Sequence, residues 1–390
     1  MTLLALYPLL CWYDADMPMG LGAMLLLFLS GFSILKKGLR YDTMPHIFWI
    51  VCAYICFLWS FRSDFSFYTF FPPGGWVFFS FVISLSCATF FFDLDILLKT
   101  MRLVLVVAIP LFWIQFFFLN ITGTQQFCFV PNFTGHFIYE GLSYSDVVYR
   151  HLSGTHPCSI FLEKSYMAYY IVAYMSLTLF AKEQKLWSKS NAIIILTIVM
   201  LRSGSGIVGM SILLLVKTFN VFWSDNIGRR MIMLSLLIPF FVGLFYIYQN
   251  TEAGEEIVGR QDELTTEGSS GYSRVVSGYL VFDQLSISEK ITGLSAKNAR
   301  ENYGYQKENG EYSLYINGFQ TILITLGYVG VILYLLFYIT LFRRSNLSSR
   351  MAIITLLIMS LLESNYLNAY MTLFTVVPCG QWYNIVKNRI

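Results

Sequence analysis

The chain consists of apolar blocks separated by short polar stretches, and this pattern runs along almost its whole length. Many blocks approach the roughly 20 residues that an α-helix needs to cross a bilayer. The pattern predicts about twelve membrane-spanning helices, at residues 2–13, 17–35, 44–61, 76–92, 103–119, 166–181, 191–203, 205–221, 231–249, 316–341, 350–363 and 367–386. Because lipid offers the backbone no hydrogen bonds, each span must satisfy its own backbone groups as a helix. The expected fold is an all-α, polytopic helix bundle that forms one transmembrane domain over residues 1–390.

Two polar intervals are much longer than the others, and they occupy residues 120–165 and 250–315. Apolar blocks bracket each interval, so each is expected to be a large loop at the membrane surface. We expect the chemistry of the protein to take place between these two loops.

Composition and charge support a membrane location and orient the chain. The protein is 56% hydrophobic and 13% charged, whereas a soluble domain is typically about a quarter charged. Lysine and arginine concentrate in alternate connections between the spans, and such connections usually face the cytoplasm. These residues are Lys36, Lys37, Arg40, Lys99, Arg102, Lys182, Lys185, Lys189, Lys217, Arg229, Arg230, Arg343, Arg344 and Arg350. Both termini are therefore expected in the cytoplasm and both long loops on the outer face.

The second long loop contains one predicted helix. Apolar residues recur near helical spacing between Ser273 and Lys290, which predicts a helix over this stretch. Ser273 is suited to cap its N-terminus. Arg274 would then lie in the first turn, where the helix dipole disfavours a cation. We expect this helix to lie flat on the membrane surface with its apolar side down.

The nucleotide-binding, metalloprotease and hydrolase motifs of soluble enzymes are absent from the sequence. Gly204-Ser205-Gly206 lies in a hairpin between two spans, where small residues allow close helix packing. Asp93 and Asp95 are interpreted as ordinary helix capping, and metal binding by Asp14 and Asp16 is the less favoured interpretation of that pair. Cys128 and Cys158 share the first long loop, and whether they form a disulfide is left open.

Arginines in the two long loops are the most informative polar residues. The first loop contains Arg150, and the second contains Arg260, Arg274 and Arg300. The guanidinium group is well suited to bidentate contact with phosphate oxygens. Arginines from both loops that approach one point on the membrane surface would suit a lipid-linked diphosphate. Pairing with the acidic residues of the second loop, or simple solvation, is the alternative for any one of them.

Several stretches resemble the Wzy-type O-antigen polymerases. RHLSGTHPCSIFLEKSYMAYYIV (150–172) is similar to the junction in that family between the first external loop and the next helix, although the usual proline of its turn is missing here. LRSGSGIVG (201–209) resembles the family's small-residue hairpin. GYSRVVSGYLVFDQLSISEKITGL (271–294) and YINGFQTILITLGYVGVILYLL (315–336) resemble its second large loop and return helix.

The resemblance implies an enzyme of the bacterial inner membrane with two periplasmic loops. It joins oligosaccharide repeat units carried on undecaprenyl diphosphate, and neither a cofactor nor a metal is expected. Arg150 and Arg274 are assigned to the diphosphate, with Arg300 and Arg260 as secondary candidates. Asn317 either binds sugar or caps a helix. The family also implies a chain-length regulator of the Wzz type as a partner, and no nucleic acid is expected.

The acceptor hydroxyl needs a general base within hydrogen-bond reach. Glu163, at the membrane end of the first loop, is the preferred candidate, and His156 is the next. Glu363 interrupts an apolar run, and a carboxylate at membrane depth is costly unless it is paired or hydrated. Glu363 is therefore a third candidate base or a partner of an arginine.

Two other functions are weighed against the polymerase. An O-antigen ligase, which transfers the glycan to lipid A-core, usually has a histidine near the end of the second large loop, but all four histidines here lie earlier. A flippase or other transporter of lipid-linked oligosaccharide would be expected to have charges inside its helices and short loops on both faces. The sequence favours the polymerase over both.

Overall fold

The computed structural model describes residues 1–14, 20–37, 44–61, 91–138, 142–154, 156–180, 188–222, 270–306, 312–362 and 369–387. This part of the chain is mostly helical, as expected. Before the second long loop come α1 (Thr2–Leu10), α2 (Leu21–Lys37), α3 (His46–Phe61), α4 (Leu94–Thr122), α5 (Tyr144–Ser153), α6 (Lys164–Thr178), α7 (Lys189–Leu201) and α8 (Gly204–Phe222). Within and after that loop come α9 (Ser270–Tyr272), a π-helix (Ser273–Ser277), α10 (Gly278–Gln284), α11 (Ile287–Thr292), α12 (Ala296–Tyr303), β1 (Tyr305–Gln306), β2 (Tyr312–Ser313), α13 (Gly318–Arg344), α14 (Leu347–Met359) and α15 (Ala369–Lys387). The two short strands pair antiparallel, with Tyr305 opposite Ser313.

Two of the described helices, α4 and α13, are long and apolar enough to cross a membrane, with mean hydropathies of 2.3 and 2.4 in their most apolar windows. Shorter apolar helices accompany them, namely α2, α3, α7, α8 and α14. The predicted span 231–249 and nearly all of span 76–92 lie outside the described residues. The number of twelve spans therefore stays a prediction.

Helix α4 begins earlier than its predicted span, at Leu94 rather than at residue 103. The side chain of Asp93 caps it by accepting a 3.0 Å hydrogen bond from the N–H of Ile96, which confirms the capping role expected of this aspartate. The helix ends at Gly123, whose φ of 73° is left-handed and is readily adopted by glycine. The hydrophobicity pattern places the start too late because the first turns of α4 contain polar residues.

The chain divides into two compact units. Unit 1 contains Met1–Met210, Ile332–Leu357 and Leu367–Ile390, and unit 2 contains Ser211–Val331 and Ile358–Tyr366. Each unit is therefore assembled from segments that are distant in sequence.

In unit 1 the almost completely buried helix α6 lies at the centre. It packs against α4, α7 and α15, and Tyr170 on α6 donates a 2.9 Å hydrogen bond to the carbonyl of Ala5 on α1. Gly206 on α8 faces Ala168 so closely that a Cβ at position 206 would lie 2.6 Å from the Ala168 Cβ. This contact confirms the prediction that the small residues of the 203–206 hairpin serve close helix packing.

In unit 2 the described part of the second loop packs against the first half of α13. Val281, Phe282 and Leu285 are buried together with Leu323 and Ile324. Protein thus covers these three loop side chains, whereas Tyr279 and Leu280 are 41% and 45% exposed. The expected contact of this segment with the membrane surface stays a prediction. Val281, Phe282 and Leu285 contact protein rather than lipid because α13 presents a matching apolar face to them.

The predicted helix over 273–290 is wrong in its bounds. The helical segment already includes Ser270 and ends at Gln284, so Ser273 lies within the segment rather than at its N-terminus. A new helix starts at Ile287, because Ser286 and Glu289 form a reciprocal capping box. This Ser-x-x-Glu signal is visible in the sequence and was outweighed by the apolar periodicity that runs across it.

Helix α13 is interrupted at Gly327, which has φ 66° and ψ −169°. The end of α11 and the turn after it fill the interruption, since a Cβ on Gly327 would lie 2.3 Å from the carbonyl oxygen of Ile291 and 2.7 Å from the backbone nitrogen of Gly293. The N–H of Leu294 donates to the carbonyl of Ile324 at 2.7 Å and so satisfies a group near the break. The predicted span 316–341 is therefore two helical pieces with loop backbone packed at their junction.

Candidate functional site

The first long loop is anchored to α4 by one buried amide side chain, that of Gln115. Its carbonyl oxygen accepts hydrogen bonds from the backbone N–H groups of Cys158 at 3.2 Å and Ser159 at 2.7 Å. Its NH₂ group donates to the carbonyl of Phe127 at 2.9 Å. Two distant parts of the loop are thus held at one point on α4.

Ser159 completes this anchor. Its backbone φ is 59°, an uncommon conformation for a residue other than glycine. The side chain is completely buried, and its hydroxyl donates a 2.7 Å hydrogen bond to the carbonyl of Ala108. The tight turn that leads into α6 is therefore tied twice to α4.

Cys158 and His151 form a buried pair behind this turn. The Cys158 Sγ lies 3.5 Å from His151 Nδ1, and His151 Nε2 lies 3.3 Å from the carbonyl oxygen of Leu162. Burial raises the pKa of the Cys158 thiol well above its usual value and lowers the pKa of His151. Cys128 and Cys158 are both free thiols in the structure, which contains no disulfide between them.

Glu163 immediately precedes α6 and is half-buried. Its carboxylate accepts a 3.0 Å hydrogen bond from the hydroxyl of Ser165. His156 is also half-buried and lies in the same part of the first loop, between α5 and α6. The two preferred candidates for the general base thus belong to one short segment of unit 1.

Stacked aromatic rings hold the start of α6. Trp12 stacks on Tyr166 with ring centroids 5.1 Å apart and planes 7° apart, and Tyr166 in turn stacks on Tyr370 at 5.2 Å. Tyr166 follows Glu163 by three residues, so this stack fixes the helix end at which Glu163 lies.

Arg150 lies in the last turn of α5 and is exposed. It follows Asp146 by one helical turn, where opposite charges are neighbours. The pKa of Asp146 is lowered first by hydrogen bonds from Ser143 and also by the positive charge of Arg150. A cation at the C-terminal end of a helix is favoured by the helix dipole as well.

Arg274 lies in the π-helix of unit 2 and is half-buried. Its backbone carbonyl accepts a 2.7 Å hydrogen bond from the side-chain NH₂ of Asn317. The next carbonyl, that of Val275, accepts a 2.9 Å hydrogen bond from the side-chain NH₂ of Gln320. The backbone that carries Arg274 is therefore bound to the start of α13 at two consecutive residues.

Asn317 and Gln320 also cap each other. Asn317 Oδ1 accepts from the N–H of Gln320 at 2.8 Å, and Gln320 Oε1 accepts from the N–H of Asn317 at 3.2 Å. The side chains are only 2% and 0% exposed, and Asn317 Nδ2 donates additionally to the carbonyl of Leu361 at 2.9 Å. This geometry favours helix capping over sugar binding, the two roles considered for Asn317.

Three predicted site residues remain, namely Arg300, Arg260 and Glu363. Arg300 is exposed in the last turn of α12, a position that the helix dipole favours for a cation. Arg260 and Glu363 lie outside the described residues.

The structure brings some of the predicted residues together. Glu163 and His156 share one segment of unit 1, whereas Arg274 and Asn317 are in direct contact in unit 2. Arg150 belongs to unit 1 and Arg274 to unit 2, so their approach to one diphosphate stays a prediction.

Sequence reasoning missed Gln115 and Gln320. Each is a glutamine within an apolar helix, and a buried amide is costly unless it is hydrogen-bonded. That cost is the signal that could have singled out both residues, although it does not reveal their partners.

The sequence model of one protein family, described as WcaD colanic acid polymerase, matches residues 43–378 of the 390-residue chain. No curated protein and no solved structure matches the chain. The match extends from before α3 into α15 and thus includes both long loops, with Arg274 and Glu163. The chain therefore belongs to the WcaD colanic acid polymerase family, a family of Wzy-type polymerases, and is a glycosyltransferase-type polymerase.

Proposed function

We propose that the protein joins oligosaccharide repeat units carried on undecaprenyl diphosphate at the periplasmic face of the bacterial inner membrane. The family match over residues 43–378 is the observation that carries this proposal. The two apolar helices long enough to cross a membrane support the location. A helix bundle of about twelve spans, with both termini in the cytoplasm, completes the proposed arrangement.

In the proposed reaction a hydroxyl of the acceptor sugar attacks the anomeric carbon of the donor glycan. The new glycosidic C–O bond forms, the bond from that carbon to the diphosphate oxygen breaks, and undecaprenyl diphosphate leaves with the bonding electron pair. The hydroxyl proton passes to a general base. Negative charge grows on the leaving diphosphate, and cations placed there in advance lower the barrier.

Arg274 is the proposed principal ligand of the diphosphate. It is half-buried, and two side-chain amides hold its backbone, so little order has to be gained when it binds an anion. Arg150 is proposed as its partner from the first loop, with Arg300 and Arg260 in secondary roles.

Glu163 is proposed as the general base. The hydrogen bond from Ser165 orients its carboxylate, and the aromatic stack around Tyr166 fixes the end of α6 beside it. His156 and Glu363 stay alternative bases in this proposal. A chain-length regulator of the Wzz type is the proposed protein partner.

The polymer itself has two candidates. The sequence resemblance to O-antigen polymerases favours O antigen, which is displayed on lipopolysaccharide. The family description favours an extracellular polysaccharide of the colanic acid kind as the second candidate. A ligase that transfers finished glycan to lipid A-core is the alternative within glycosyl transfer.

The deciding experiment is a gene deletion complemented with the wild-type protein, with Arg274→Ala or with Arg343→Ala. Arg343 is a matched control, because it is an exposed arginine at the other end of α13, on the predicted cytoplasmic face. Lipopolysaccharide is separated on a gel, extracellular polysaccharide is sized, and the amount of each variant in the membrane is measured.

We expect deletion to leave core with a single repeat unit, and wild type and Arg343→Ala to restore the ladder. Arg274→Ala at equal membrane level should restore little or none of it. A loss of long extracellular polysaccharide with an unchanged ladder would identify the second candidate. Bare core together with polymer accumulating on the lipid carrier would identify a ligase and refute the polymerase.

A further inference from the structure

We propose that Asn317 and Gln320 are positioning residues for Arg274. Their side-chain amides hold the π-helical turn that carries this arginine and thereby set the direction of its guanidinium group. The inference rests on the proposed function, because it takes the lipid diphosphate as the group that Arg274 binds. Neither amide is expected to touch the substrate.

The two amides contact the turn at consecutive carbonyls. Asn317 Nδ2 donates to the carbonyl of Arg274 at 2.7 Å, and Gln320 Nε2 donates to the carbonyl of Val275 at 2.9 Å. A π-helix shifts its backbone hydrogen bonds from i→i+4 to i→i+5. Side-chain donors at two successive carbonyls stabilise that shift, because they satisfy groups that the wider turn displaces.

The shift matters for where the arginine points. Successive residues of an α-helix are rotated by about 100°, so one inserted residue redirects side chains by a large part of a turn. With the π-helix at Ser273–Ser277, Val281 and Phe282 on α10 stay buried against α13 while Arg274 takes a direction that a continuous α-helix would not give it. Such π-bulges are frequent at functional sites.

The amides are themselves held rigidly. Each accepts a hydrogen bond from the backbone N–H of the other, and Asn317 also donates to the carbonyl of Leu361. Both side chains are buried, so a rotation would leave polar groups unsatisfied in a dry environment.

Gly278 shows that the second loop is adapted to the same arrangement. It directly follows the π-helix, and a Cβ on it would lie 2.6 Å from Gln320 Cδ and Oε1. Only a residue without a side chain allows Gln320 to come this close. The residues on both sides of the contact are therefore matched to one geometry.

The test uses two isosteric variants, Asn317→Asp and Gln320→Glu. Each keeps the oxygen that accepts the neighbouring backbone N–H and removes the NH₂ group that holds the π-helix. Thr321→Val is the matched control, because the hydroxyl of Thr321 donates to the carbonyl of Asn317 within the start of α13 itself. Binding of undecaprenyl diphosphate to the purified full-length chain is measured in detergent, with undecaprenol as the lipid that lacks the diphosphate.

We expect Asn317→Asp and Gln320→Glu to weaken undecaprenyl diphosphate binding by about tenfold, whereas Thr321→Val binds as wild type does. Binding of undecaprenol should be the same in all four proteins. Thermal unfolding of each variant, followed in the same detergent, shows whether it is folded. If Asn317→Asp does not fold, Gln320→Glu decides the question.

A double-mutant cycle separates positioning from a general structural effect. If the amides act through Arg274, Asn317→Asp should weaken binding by less than about twofold in an Arg274→Lys background. If Asn317→Asp weakens binding by the same factor in the Arg274→Lys background as in the wild type, the inference is refuted. Wild-type affinity in both amide variants would refute it as well. Wild-type protein that prefers undecaprenyl diphosphate no more than undecaprenol would instead refute the diphosphate role in the proposed function.

Discussion

The side-chain carbonyl of Gln115 accepts a 2.7 Å hydrogen bond from the backbone N–H of Ser159, which lies 44 residues later in the chain. The same oxygen accepts the N–H of Cys158, and the NH₂ group of Gln115 donates to Phe127. Because Glu163 follows this turn directly, the position of the proposed base depends on one amide in α4.

Gln115→Leu should therefore loosen the first loop. Two buried N–H groups and one carbonyl lose their hydrogen-bond partner. Each group left unsatisfied lowers the free energy of unfolding by about 1–3 kcal/mol. We expect faster hydrogen exchange over residues 156–163 and a lower midpoint of thermal unfolding. Asn120→Ala is the control, because the exposed Asn120 side chain donates to Phe116 within the same helix. Equal exchange rates in both variants would show that Gln115 does not anchor the loop.

Gly327 should tolerate no side chain. Its φ of 66° with ψ −169° is a conformation that only glycine adopts readily, and a Cβ would also lie 2.3 Å from the Ile291 oxygen. We expect Gly327→Ala to lower the free energy of unfolding by on the order of 3 kcal/mol. Gly123→Ala should cost only about 1 kcal/mol, because it too has a positive φ but has open space around it. Thermal unfolding in detergent compares the two variants, and a smaller loss at position 327 than at 123 would contradict the packed break in α13.

Gly278→Ala should displace Gln320 and disturb the π-helix. Overpacking of a tight contact typically costs about 1–3 kcal/mol, and here the added Cβ meets Gln320 atoms at 2.6 Å. We expect lower thermal stability and weaker polymerisation in complemented cells. Gly31→Ala serves as the comparison, since position 31 lies within α2 with nothing near its Cβ. A Gly278→Ala protein with wild-type stability and activity would argue against the contact.

Acidification should destabilise the first loop through His151. Burial lowers the pKa of this histidine below its usual value of 6.5, so the unfolded loop binds the proton more readily than the folded one. The contribution of neutral His151 to the stability of the folded loop is therefore fully present above pH 6.5. It is lost as the pH falls from 6.5 toward and through the lowered pKa of the folded state. Hydrogen exchange between pH 7.5 and 5 should show this loosening, corrected for the intrinsic pH dependence of exchange. His151→Gln should weaken the effect, and an unchanged pH dependence in that variant would assign the effect to other groups.

Glu163→Gln should abolish most of the polymerisation without unfolding the protein. The amide keeps the size of the carboxylate and can still accept the Ser165 hydroxyl, but it cannot take a proton. A general base typically contributes about 10²–10⁴-fold to the rate, so the turnover rate should fall by that range at little change in donor binding. The measurement is initial polymerisation rate in proteoliposomes with lipid-linked repeat units. His156→Gln is measured beside it, and a larger loss in that variant would transfer the role to His156.

Much of the fold could be predicted because membrane insertion depends on local composition. The apolar blocks predicted α4 and α13, and Asp93 was correctly expected to cap a helix. The resemblance to Wzy-type polymerases, based on the order of motifs along the chain, is confirmed by the family match. The bounds of the helix in the second loop were wrong, because apolar periodicity continued across the Ser286 capping box.

Tertiary packing, by contrast, determines which polar groups meet. The order of apolar and polar residues predicts a helical chain with two long polar loops, because the transfer free energy of a side chain into lipid depends on that residue and its neighbours. The sequence identified Asn317 and Arg274 separately, yet their hydrogen bond joins residues 43 positions apart. Hydrogen bonds of this kind depend on distance and direction in space. The contacts of Asn317 and Gln320 with the π-helix and the anchor at Gln115 therefore follow from packing.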